Sequence, residues 1–160
     1  MRILVTGATG YIGGRLVPAL LAPGPDVRCL APNPHRLEAQ PWPADVQVVA
    51  GDVLEPETLV SAFEGVDAVY YLIHSMGGGD EFVERDRRAA ANARNAADAA
   101  GVGRIVYLGG LGEDDEELST HLSSRHEVGR ILASGDTPVT EFRAAIIIGS
   151  GSVSFEMLRH

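Results

Sequence analysis

Three glycines at three-residue spacing, Gly7, Gly10 and Gly13, stand where the apolar run Ile3-Leu4-Val5 ends at Thr6 and a helix is expected to begin. That pattern suits anion chemistry. Glycine lets the chain turn tightly, admits a ligand to the backbone, and lets the following helix pack closely on a sheet. The first N–H groups of a helix have no partner inside it and carry partial positive charge, so a pyrophosphate is favoured there without a basic side chain. Thr9, Tyr11 and Ile12 belong to the same turn and are expected to touch the same group. A common dinucleotide fingerprint is GxGxxG, whereas here the spacing is Gly7-x-x-Gly10-x-x-Gly13. A strand before, a helix after and a second strand ending about 30 residues on support a dinucleotide reading over a tight turn that binds nothing. A second candidate is His74, at the end of the run Ala68–Ile73, as an acid or base or as a local hydrogen-bonding residue.

The elements that must hold these positions alternate between strand and helix. Tyr11 to Leu21 is expected as the first helix, with Ile12, Leu16, Ala19 and Leu20 toward the sheet and Pro23-Gly24-Pro25 stopping it. Further strands are expected over Val27–Ala31, Val46–Ala50, Ala68–Ile73, Ile105–Leu108 and Thr140–Ile148. Helices are expected over Pro56–Phe63, over Glu81–Ala100, around Val128, Ile131 and Leu132, and from Phe155. On the longest, Phe82, Ala89, Ala93, Ala96, Ala97 and Ala100 share one face. The alternation predicts an α/β, doubly wound parallel Rossmann sheet of about six strands in the order 3-2-1-4-5-6, with helices on both faces. Ligands of such sheets lie beyond the carboxyl ends of the strands, so Leu72, Ile73 and His74 should face a bound cofactor. Met76-Gly77-Gly78-Gly79 then reads as a flexible, lid-like loop.

At 160 residues the chain makes one domain, 1–160, long enough for a proper core. With 22 acidic against 13 basic residues its formal charge is −9, which argues against nucleic acid or an anionic membrane as partner. No apolar run approaches a membrane span and no signal-peptide pattern opens the chain, so a cytoplasmic location is expected. Cys29, the one cysteine, lies in an expected strand and reads as core. The acidic run Glu113–Glu117 lacks the alternation of a calcium loop, and no metal site is expected.

Thr6 to Gly14, TGATGYIGG, resembles the TGxxGxxG signature of the atypical and extended short-chain dehydrogenase/reductase families, which include NmrA-like proteins and nucleoside-diphosphate-sugar epimerases. The resemblance implies an NAD(P)-binding Rossmann domain and runs along the chain. It implies that Gly51-Asp52-Val53 lays Asp52 and the Val53 backbone against the adenine; Asp52 also suits a turn or cap. Related reductases often carry an arginine where this chain has Pro32. An Asp or Glu at the end of strand two would read a ribose 2′-hydroxyl, and neither is present; Asn33 and Arg36 are the nearby candidates, giving a slight lean to NADP over NAD. The resemblance implies a homodimer through the 81–100 helix, and a smaller C-terminal substrate domain that this chain, ending at His160, does not include.

In the enzymes it resembles, strand five ends at Ser or Thr and the next helix carries Tyr-x-x-x-Lys, whose cation lowers the tyrosine pKa. This chain has Gly109-Gly110-Leu111 at the first position, and His121 and Arg125 at the tyrosine and lysine positions. Two functions follow. One is an NAD(P)-dependent oxidoreductase or sugar-nucleotide epimerase acting on an unidentified small molecule through His121, Arg125 and His74. The other is a non-catalytic dinucleotide-binding protein, a redox sensor or assembly factor, which the missing Ser/Tyr/Lys set favours.

Overall fold

A computed structural model describes residues 1–22, 24–38, 40, 42, 46–75, 80–112, 119–152 and 156. The short apolar runs form strands: β1 (Arg2–Thr6), β2 (Asp26–Ala31), β3 (Gln47–Ala50), β4 (Ala68–Tyr71), β5 (Arg104–Gly110) and β6 (Val139–Ala144). Between them lie α1 (Tyr11–Leu21), α2 (His35–Glu38), α3 (Pro56–Phe63), α4 (Asp80–Ala100) and α5 (Thr120–Ala133). The six strands form one sheet in the order β3-β2-β1-β4-β5-β6, and every pairing is parallel. The order reverses between β1 and β4, so the connections leaving those strands diverge to opposite faces and open a crevice at their carboxyl ends.

Alternation along the strands builds two cores. Ile3 and Val5 of β1, with Val27 and Cys29 of β2, pack beneath α1 and Leu37 of α2. Leu4, Val69, Tyr71, Ile105 and Tyr107 point the other way, onto α3, α4 and α5. Cys29 has no exposed surface, and burial pushes its thiol up to about 12. Arg28, also in β2, is buried among these apolar neighbours: Nη1 donates to the carbonyls of Ser61, Ala62 and Glu64 at 3.1, 2.7 and 3.0 Å, and Nε to Gln47 at 2.8 Å. A cation thereby closes the carboxyl end of α3, where the helix dipole is negative.

Several boundaries differ from the sequence expectation. The fourth strand stops at Tyr71, because the last ladder positions are Thr6 opposite Tyr71 and Tyr71 opposite Tyr107. Leu72 and Ile73 leave the sheet there, and the Leu72 N–H turns to Thr6 Oγ1 at 3.4 Å. The sixth strand stops at Ala144, where the Leu111 N–H closes on the Ala144 carbonyl; Ile146 and Ile148 lie exposed beyond it. On α1 the buried residues are Gly13 and Val17, while Ala19 is exposed. A glycine at the contact point brings the helix axis closer and rotates the buried stripe away from the larger residues. On α4, Ala89, Ala93 and Ala97 are buried as expected, joined by Ala90 and Asp86, while Ala100 is exposed. These alanines are spent inside the domain, against its own core. The expected Met76–Gly79 loop, the Glu113–Glu117 run, Pro23 and Phe155 lie outside the described residues.

The two adjacent glycines of α1 should respond oppositely to alanine. A Cβ on Gly13 would come within 2.5 Å of the Gly7 carbonyl oxygen and 2.6 Å of Ala8 Cα, both backbone, so Gly13→Ala forces the turn and helix apart at a cost of about 1–3 kcal/mol. On Gly14 the nearest atom, Gln40 Oε1, is 3.8 Å away, and Gly14→Ala should stabilise by up to about 1 kcal/mol through lost unfolded-chain freedom. Urea melts of the two variants check this; equal midpoints would show that helix packing does not depend on Gly13.

Candidate functional site at the strand 1/strand 4 switch point

Each glycine of the first turn has a different physical reason. Gly7 has φ +73°, and a Cβ there would meet the Leu72 carbonyl at 2.9 Å, so the turn rests directly on the end of β4. Gly13 provides the close helix contact described above. Gly10 is the N-cap of α1 and has no side chain to cap it; its N–H donates to the Gly7 carbonyl at 3.0 Å, and a Cβ would meet only that oxygen, at 3.2 Å. The Gly14 N–H returns to the Gly10 carbonyl at 2.9 Å, leaving Tyr11, Ile12 and Gly13 as the orphan donors of the helix start. Thr9 and Gly10 are exposed on the side where those donors begin.

A cleft of about 400 Å³ opens beside this turn. Gly7, Thr9 and Gly10 form one wall, Leu30–Pro32 at the end of β2 another, Gly51–Leu54 after β3 a third, and Leu72–Ser75 after β4 the fourth, with Arg85, Asp86 and Ala89 of α4 closing it. Of the expected cofactor residues, Gly7, Thr9, Gly10, Asp52, Val53, Leu72, Ile73 and His74 are brought together here. Tyr11, Ile12 and Gly13 follow directly on Gly10 in the first turn of α1 and do not line the cleft, with the Arg15 guanidinium 3.7 Å above the Tyr11 ring. Asn33 and Arg36 do not line the cleft. The short helix α2, which the sequence did not suggest, takes them: Asn33 Oδ1 accepts the His35 N–H at 3.1 Å, and the Arg36 N–H donates to the Asn33 carbonyl at 3.2 Å. Asp52 makes a turn and borders the cleft. Its Oδ1 accepts the Leu54 N–H at 2.9 Å and its carbonyl the Glu55 N–H at 2.9 Å, which makes the turn, while the residue lines the cleft.

Beyond β4 the three candidate catalytic residues converge. The rings of His74 and His121 lie 6.3 Å apart at 72°, and Phe82 stands 6.3 Å from His121. Arg125 turns back into the domain: Nη2 donates to the Leu108 carbonyl at 2.6 Å, and the Tyr107 hydroxyl donates to the Arg125 carbonyl at 2.9 Å. A Cβ on Gly110 would meet Leu122 Cδ2 at 2.8 Å and Arg125 Cδ at 3.4 Å, so the glycine at the end of β5 and the arginine on α5 fit one another. His126, buried, lies 3.1 Å from the Gly110 carbonyl through Nε2. Asp86 and Arg85 are additions that sequence reasoning missed. Asp86 is buried and accepts the Ser75 N–H at 2.9 Å, fixing the chain that leaves β4. A carboxylate on the buried stripe of an alanine-rich helix was its signal. Among the described residues no group of histidine, cysteine and carboxylates could hold a metal ion, and no helix is long and apolar enough to cross a membrane.

The sequence profile of the NAD(P)H-binding family matches residues 7–142. A 3β-hydroxysteroid dehydrogenase/Δ5→4-isomerase of Mycobacterium tuberculosis is 34% identical over 116 residues, 66% of this chain and 30% of that protein. The crystal structure of the Citrobacter sp. triphenylmethane reductase with NADP(H) superposes with a TM-score of 0.77 at 28% identity, covering 91% of this chain and 50% of that one. A nucleoside-diphosphate-sugar epimerase of Staphylococcus aureus gives 0.75 at 25% identity, over 89% of this chain and 50% of that one. The chain thus spans between 30% and 50% of the length of these relatives.

Although His74 keeps a face to solvent, loss of water around its ring lowers its pKa, as do the charges of Arg125 and His121; a Leu72 backbone hydrogen bond and Asp86 act the other way. The folded chain therefore favours the neutral ring. The stability it contributes is complete above the unfolded value of about 6.5 and is lost as pH falls through the lowered folded value. Arg125→Gln should raise the His74 midpoint and Asp86→Asn lower it further, read from the ring-proton chemical shift. A midpoint unmoved in both variants would mean that neither charge is felt at His74.

Proposed function

The chain belongs to the NAD(P)H-binding family, and we propose that its cleft holds one NADP or NAD as the cofactor-binding domain of an atypical short-chain dehydrogenase/reductase-like protein. The observation that carries this is the start of α1: an uncapped helix N-terminus of orphan donors, beside a glycine whose only close neighbour is its own turn. An anion fits what the structure leaves unpaired. Tyr11, Ile12 and Gly13 would hold the pyrophosphate through their N–H groups, Asp52 and Val53 the adenine, and Leu72, Ile73 and His74 the ribose and nicotinamide end. The end of β2 carries Pro32 and no carboxylate to repel a 2′-phosphate, which supports NADP slightly ahead of NAD.

Bound there, the dinucleotide supplies a two-electron redox couple. What this chain's residues add is position: the turn orients the phosphates, and Asp86 fixes the Ser75 backbone beside His74. The Ser/Tyr/Lys set is absent, and Arg125 is engaged with the Leu108 carbonyl, so the tyrosine-type proton exchange has no residues to run on. The domain is therefore read first as a binding module. The ring contact between His74 and His121 favours one second reading, an oxidoreductase or epimerase in which a neutral histidine exchanges the proton with a small carbonyl substrate.

Gly10→Val should separate binding from folding. Its side chain would keep the phosphates off the helix start and remove at least two charge-assisted hydrogen bonds of roughly 1.5–3 kcal/mol each. That predicts dinucleotide binding weaker by at least about a hundredfold, at ~1.4 kcal/mol per factor of ten. Calorimetry with NADP and NAD, with circular dichroism as a control for folding, reads it; undiminished binding by a folded variant would remove the turn as the phosphate site. Turnover of NADPH on a panel of carbonyl substrates, lost in His121→Ala, would establish the second reading.

A further inference from the structure

Among the described residues Arg85 is the one arginine that lines the cleft, and no expected cofactor contact accounts for it. Its place follows from helix geometry. Residues 85, 89 and 92 fall at i, i+4 and i+7 and so share one stripe of α4. At one end of the stripe, Asn92 Nδ2 donates to the Val53 carbonyl at 2.8 Å and ties the helix to the loop after β3. In the middle, Ala89 is buried and forms part of the cleft wall. Arg85, one turn further toward the helix start, is exposed. On the next residue, the Asp86 bond to the Ser75 N–H pins α4 to the end of β4, so the stripe cannot roll away from the opening. Among the described residues no hydrogen bond or ion pair engages the Arg85 guanidinium.

The lining nearest this stripe is apolar: Val53 and Leu54 after β3, to which Asn92 ties the helix, and Ala89 of α4 itself. Those side chains suit a flat ring better than a phosphate, to which none of them can donate a hydrogen bond. A guanidinium is itself flat and weakly hydrated, and it stacks on aromatic faces. The position from which a 2′-phosphate would be met, Pro32 at the end of β2, lies on a separate wall. Resting on the dinucleotide reading of the cleft, we propose that Arg85 lays its guanidinium over the adenine and closes the adenosine end, so that it strengthens NADP and NAD alike.

The test is calorimetric titration of the parent chain, Arg85→Ala and Arg85→Lys with NADPH, NADH and ADP-ribose. Arg85→Ala should weaken all three by a similar factor, about 3- to 30-fold, and Arg85→Lys, which keeps the charge but not the plane, should recover only part of the loss. A loss confined to NADPH would make Arg85 a 2′-phosphate contact and overturn the stacking; so would full recovery in Arg85→Lys. Unchanged affinity for all three ligands would remove Arg85 from the site. Failure of the parent chain to bind any of them would instead bring down the dinucleotide reading itself, an outcome distinct from any difference between parent and variants.

Discussion

The close approach of α1 to the end of β1 is the constraint on which the rest of the site depends. No side chain larger than hydrogen fits at Gly13, where a Cβ would lie 2.5 Å from the Gly7 carbonyl, and Gly7 in turn sits on the Leu72 backbone. These backbone contacts stack the first turn, the first helix and the exit of β4 into one unit. The start of α1 is thereby held over the crevice where the strand order reverses, the one place on a doubly wound sheet where two crossovers diverge. Helix packing and the shape of the crevice are set by the same few atoms.

That arrangement explains how a chain of net charge −9 can present a site for an anion. Attraction comes from backbone N–H groups and the helix dipole, which need no basic side chain and act within the first turn. Arginines are used elsewhere. Arg28 closes the end of α3 from inside the sheet, Arg15 lies over Tyr11 and donates to the Ser150 carbonyl at 2.7 Å, and Arg125 holds the Leu108 carbonyl. Among the described arginines Arg85 borders the cleft.

At the far end of the cleft, the departures from the family's catalytic pattern are linked to one another. Arg125 reaches back past Gly110 to the β5 backbone, its own carbonyl is held by the Tyr107 hydroxyl, and the space a hydroxyl-bearing side chain would need at 110 is taken by Leu122 and Arg125. Glycine on the strand and arginine on the helix form one packing solution. A serine introduced at 110 would press on Leu122 and touch Arg125.

Much of this could be read from the order of residues. The glycine spacing after Ile3-Leu4-Val5 marks the tight turn before α1, alternating apolar runs and helical periodicity indicate the six strands and their order, and Asp52 reads as a turn or cap, because these signals are local or depend on a connection rule with few exceptions. Only the tertiary structure decided the rest. Asn33 and Arg36 lie at and beside four helical residues too few to show periodicity and do not line the cleft, and Leu72 and Ile73 left the sheet because β1 ends at Thr6, opposite Tyr71. Arg85 and Asp86 joined the site, and Arg28 the core, through contacts with residues 11 to 39 positions away, Ser75, Ser61 and, through Asn92 on the same helix stripe, Val53. Sequence carries periodicity and turn chemistry. It does not carry which side of a helix ends up beside which loop, since that is fixed by packing summed over the whole sheet.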